Sequence, residues 1–150
     1  MDAIVADPDM TDDCPDIVVT HHDLFEDAEL EADREKWIKS EQAGYDLGDE
    51  AKKRWVREHW HSFVRSRLFE HLNGQKYFKT FGKQDFGLLK RGFKEDQQLL
   101  DSIVEQFKAG HENLNVIQWA HKKNMPIDRV LQILVAININ RCRIYHTFDQ

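Results

Sequence analysis

Cysteine is scarce in this chain of 150 residues: Cys14 and Cys142 are far apart, and neither belongs to a Cys-x-x-Cys pair. That excludes a disulfide framework and the zinc-finger patterns, which need closely spaced sets. Proline occurs 3 times and glycine 7 times, far below collagen-like or low-complexity usage. No run of about 18 apolar residues exists to span a bilayer as a helix, and no repeat recurs along the chain. Basic residues are missing from the start. Arg34 is the first, and 12 acidic side chains precede it. A secretory signal would begin basic and continue apolar, so a cytoplasmic protein with no membrane association is expected. A phosphate loop, a nucleophile–base signature and a complete metal-ligand set are also lacking, so neither an enzyme nor a cofactor is expected.

What is present suits one folded domain. Hydrophobic content of 41% and aromatic content of 11% over this length can build a core without staples. Charge is divided unevenly. Residues 1–50 hold 17 acidic and 3 basic side chains, a net of −14, whereas residues 51–150 hold 10 acidic and 18 basic ones, a net of +8. Such an acidic start is either a solvated tail or a segment that covers the basic body and competes with an acidic partner.

Residues 1–28 carry two prolines and no helical period, and are read as a flexible acidic arm. Ile17, Val18, Val19, Leu24 and Phe25 form two apolar islands in it, a candidate docking motif. Residues 29–150 are read as a single helical domain. Its first helix is expected from Ala28 or Glu29 to Ala43 as a surface helix, with Leu30, Ala32 or Asp33, and Trp37 as a narrow apolar stripe and Gly44 as the stop. Asp49 offers an N-cap for the longest pattern, 49–73. There Val56, Trp60, Phe63, Val64 and Leu68 share a broad face, while Trp55 and Phe69 fall elsewhere on the wheel. Apolar residues over so much of the circumference predict a helix buried between neighbours. Residues 75–93 interleave five aromatics with lysines and glycines, as expected of turns that plug the core. Further helices are expected over 94–109, 112–123 (Leu114, Ile117 and Ala120 inward) and from Pro126 to Ile137.

The chemistry-bearing patterns are few. Arg54, Arg57, His61 and Arg65 recur at spacings of three and four and make a basic stripe on one helix, a candidate surface for an acidic partner. Glu58-x-x-His61 has the spacing of carboxylate-bridged metal bundles, but no second pair accompanies it. The 113–137 helix pair has helix-turn-helix spacing, which would present Arg129 and Gln132 to bases, although Leu131 and Val135 are apolar where a groove-reading helix is polar. Near the C-terminus, Asn138 and Arg141 point inward if the helix continues, which calls for a carboxylate or polar partner such as Glu70, His71 or Asp101.

These features predict an all-α protein, a compact bundle of five to six helices around the 49–73 helix, with a disordered acidic arm. The function expected is a non-catalytic interaction or regulatory module that binds a protein partner. The alternative is a nucleic-acid-binding protein using the basic stripe and the C-terminal helix pair, with the arm autoinhibitory.

Overall fold

The structure, a computed structural model, describes residues 21–146. They form six α-helices: α1 (Leu24–Ala43), α2 (Asp49–Leu72), α3 (Leu88–Gly92), α4 (Gln97–Lys108), α5 (Asn113–Lys122) and α6 (Ile127–Ile137). Two-residue strands β1 (His21–His22) and β2 (Tyr77–Phe78) pair in parallel, His21 opposite Tyr77. The architecture is the expected all-α bundle. α2 is its axis and packs against α1, α4, β2 and the 3-10 turn at Ile139–Cys142.

The first helix starts earlier than expected. Asp23 caps it, its carboxylate accepting from the N–H groups of Phe25 at 2.9 Å and Glu26 at 3.0 Å. Leu24 is fully buried. The boundary at 28 is therefore corrected: residues 23–28 belong to the folded body. The phase of α1 is corrected too. Leu24, Ala28 and Ala32, spaced four apart, are buried against α2, whereas Leu30 is 68% and Trp37 65% exposed. Small side chains let the two helices approach closely, and Lys52 reaches from α2 to pair with Glu29 and, at 3.1 Å, with Asp33. Those carboxylates, Glu29 above all, hold the Lys52 ammonium above its ordinary pKa.

α2 begins at Asp49, after Gly48 at positive φ, and makes no side-chain cap. Asp49 thus sits in the first turn rather than at the N-cap, where its charge still favours the positive helix end. Trp55 and Phe69 are buried along with the expected face, because separate neighbours cover different sides of α2. Trp60 is fully enclosed. Its Nε1–H donates to the Ile144 carbonyl at 2.6 Å, while the rings of Phe25 and His146 pack on it at 5.2 and 4.9 Å between centroids.

The 75–93 segment plugs the core as expected, with Tyr77, Phe78, Phe81 and Phe93 buried. Its turns close around His71, the one buried polar side chain among the described residues. Gly74 and Gly87, both at positive φ, bring two backbone stretches together, and a Cβ on Gly74 would lie 3.4 Å from the Gly87 Cα. In the last helices, Val116, Ala120, Val130, Ile133, Leu134 and Ile137 face inward. Leu114 is 63% exposed, contrary to its expected inward position, because Val116 and Ala120 set the phase of α5. Asn138 closes α6 in a left-handed conformation and is exposed, not inward.

Candidate functional site

The basic stripe on α2 divides into two kinds of residue. Arg54 and Arg57 are exposed and make no ion pair among the described residues. Arg65 is half-buried and committed within the fold: Nη1 donates to the Phe107 and His111 carbonyls at 2.9 and 2.8 Å, and Nη2 to Glu112 at 2.5 Å. It thereby satisfies carbonyls at the C-terminal end of α4, where a cation also answers the helix dipole. His61 is exposed at the rim of a cleft of about 520 Å³ that Arg65, Lys108, Cys142, Arg143 and Tyr145 also line. Lys108 and Arg143 come from distant elements and complete a cationic surface that the stripe only began. Arg143 sits 3.7 Å from Glu112 and keeps 70% of its side chain in solvent. The Cys142 thiol in this cleft is buried, and burial pushes its pKa up to about 11, so it is not a poised nucleophile.

Arg129 and Gln132 are turned to internal use. Arg129 donates through Nε to Asp96 at 2.6 Å, through Nη1 to Gln132 Oε1 at 2.5 Å and through Nη2 to the Gly92 carbonyl at 3.1 Å. Its guanidinium also lies 4.5 Å above the Phe93 ring. It fastens α6 to the junction of α3 and α4. A base-reading role would require breaking these contacts. Val135 (79% exposed) and Leu131 (42%) leave the outer side of α6 apolar, which does not suit a polar groove.

The docking islands separate as well. Ile17, Val18 and Val19 lie outside the described residues. Leu24 is a core residue, and Phe25, 43% exposed, packs on Trp60 and His146; both are structural, because α1 begins at Leu24. Arg141 does have a carboxylate partner, but it is Asp85, not Glu70, His71 or Asp101. Arg141 also donates to the Ile137 carbonyl at 2.8 Å and the Ala136 carbonyl at 3.2 Å, closing the end of α6. Glu58 and His61 are exposed, and among the described residues no three His, Cys, Asp or Glu side chains converge on a metal position. Nor is any described helix long and apolar enough to cross a membrane.

A second surface lies at the C-terminal end of α1. A cleft of about 570 Å³ is lined by Asp33, Lys36, Trp37, Glu41, Tyr45 and Asp46, among others. Tyr45 is 67% exposed, and neither it nor Trp37 packs on another aromatic ring among the described residues.

No family model, no curated protein and no solved structure matches the chain.

Sequence reasoning missed the α1 cleft because Leu30 and Trp37 look like the apolar stripe of a surface helix. One signal existed: Leu24, Ala28 and Ala32 form a second line at i, i+4, and Asp23 before it is a cap residue. Lys108 and Arg143 gave no local signal, since they meet His61 only through the fold.

Proposed function

We propose that this protein is a non-catalytic interaction module whose partner is another protein, docked on the outer face of α1 and the connection after it. The observation that supports this is the inverted burial of α1. Its alanines take the core positions, while Leu30 and Trp37, with Tyr45 just beyond the helix, are left in solvent. Scattered single apolar residues are ordinary on a surface, but an exposed Trp and Tyr sharing one concave site are the residue types that dominate interface energetics. Their rings bury large area on binding at small entropic cost.

The experiment is capture by full-length protein immobilised at low density, with cross-linking and mass spectrometry. A Leu30→Ser/Trp37→Ala variant with unchanged helical circular dichroism is expected to lose proteins retained by the wild type. Identical capture lists would sink this reading.

A second reading has its own observation. Arg54 and Arg57 stand exposed beside the cleft that gathers His61, Lys108 and Arg143, a cationic surface suited to phosphates. Under it the acidic arm competes for that surface. The test removes residues 1–20 only, because a cut at 28 would delete Leu24 from the core. Binding of single-stranded nucleic acid that strengthens on truncation and weakens steeply with salt supports it; no mobility shift at low salt removes it.

A further inference from the structure

We propose that the α1 cleft takes a basic peptide segment of the partner protein, with one lysine or arginine side chain entering between Trp37 and Tyr45. This deepens the module reading and rests on it. Four features of the cleft favour a cation.

The first is charge. Asp33, Glu41 and Asp46 line the cleft against one lysine, Lys36, which lies 3.9 Å from Asp46. Asp33 is already paired with Lys52, and Asp46 accepts from the Gly48 N–H at 2.9 Å. Glu41 is exposed and has no ion-pair partner among the described residues.

The second is the helix end. The carbonyl end of a helix carries partial negative charge, and basic side chains ordinarily collect there. α1, 20 residues long, has no basic residue in its last turn and holds Glu41 there instead. An incoming ammonium or guanidinium supplies the missing countercharge.

The third is the pair of rings. Trp and Tyr faces attract cations through their quadrupoles, Trp most strongly. The fourth is size: about 570 Å³ accommodates one long side chain and the backbone flanking it. An acidic segment meets repulsion from Glu41 and Asp46, and a purely apolar one leaves Glu41 desolvated beside it.

The test is an NMR titration of the isotope-labelled full chain with a synthetic peptide, acetyl-GKGRGKG-amide, and with acetyl-GEGEGEG-amide as control. The basic peptide is expected to produce saturating shifts at the Trp37 indole N–H and at Gly44–Asp46. Affinity is expected to fall at least tenfold in Trp37→Ala and severalfold in Glu41→Gln, both with unchanged circular dichroism. The acidic peptide is expected to produce none of these shifts. Shifts scattered over all acidic residues without saturation, or equal binding of the acidic peptide, overturn the proposal. If Trp37→Ala abolishes protein capture while Glu41→Gln and the basic peptide change nothing, the module reading stands and the basic chemistry falls. If capture survives Trp37→Ala, the module reading itself falls. Concentration-dependent self-association that Arg54→Glu/Arg57→Glu removes would make a second copy the occupant and overturn the choice of partner.

Discussion

The backbone N–H of Phe78 donates to Nδ1 of His71 at 3.0 Å, and that bond decides the tautomer of the imidazole. An N–H can only donate, so Nδ1 is unprotonated and Nε2 carries the proton, donating to the Gly82 carbonyl at 2.6 Å. One side chain at the end of α2 thus satisfies backbone groups on β2 and on the turn after it. Truncation to alanine strands both groups and opens a cavity among Tyr77, Phe81 and Phe86. A His71→Ala loss of about 2–4 kcal/mol is expected in urea unfolding.

The same site makes stability depend on pH. Burial, reinforced by the Arg141 charge, holds the His71 pKa below its ordinary 6.5, against the opposing pull of the Gly82 hydrogen bond. Below pH 6.5 the unfolded chain binds this proton first. The contribution of neutral His71 is whole above pH 6.5 and is lost as pH falls through the folded pKa. Urea midpoints of wild type and His71→Gln should converge between pH 7.5 and pH 5. A constant gap would show that His71 does not titrate differently in the two states.

Asp85 and Arg141 form an ion pair whose side chains are 33% and 19% exposed. Removing one partner leaves a partly desolvated charge, so Asp85→Ala is expected to cost about 1–3 kcal/mol. The double variant Asp85→Ala/Arg141→Met is expected to be less destabilised than the sum of the single changes. Strict additivity in that cycle would mean that the pair contributes nothing to folding.

Cys142 should resist alkylation in the native protein. With its pKa near 11 and its side chain buried, the thiolate fraction at pH 8 is about a thousandth. Site-resolved mass spectrometry after iodoacetamide treatment should find Cys142 modified only in denaturant. Rapid native labelling would mean that the cleft opens around it.

The two lines along α1 can be told apart by stability alone. Trp37→Ala and Leu30→Ala should shift unfolding by no more than about 0.5 kcal/mol, as exposed changes do. Ala28→Leu or Ala32→Leu should cost about 1–3 kcal/mol by forcing α1 off α2. The opposite ranking would return Leu30 and Trp37 to the core.

How far the sequence could be read follows from the range of each interaction. The centrality of α2 was legible because its apolar residues cover most of its circumference, and the stop at Gly44 because glycine fits its left-handed cap. The phase of α1 was not, since hydrophobicity ranks Leu30 and Trp37 above Ala28 and Ala32, while close helix packing selects the small residues. The pairing of Arg141 was expected in kind but not in identity, because Asp85 lies 56 residues away in a turn-rich segment with no periodic pattern to place it. The cationic surface was half legible. Arg54, Arg57 and His61 share a helix, but Lys108 and Arg143 reach it through tertiary folding, and Arg65 proved to serve the end of α4.

Trp60 has a consequence for how the molecule can be held. Phe25, at the start of α1, and His146, at the last described position, both rest on its indole, their own rings 5.9 Å apart. The start of α1 and the last described residue therefore meet on one side chain of α2. The Trp37–Tyr45 cleft lies toward the far end of α1, a helix about 30 Å long at 1.5 Å per residue. A partner gripping the molecule where Phe25 and His146 meet Trp60 would leave that cleft free for a second contact, toward the opposite end of α1.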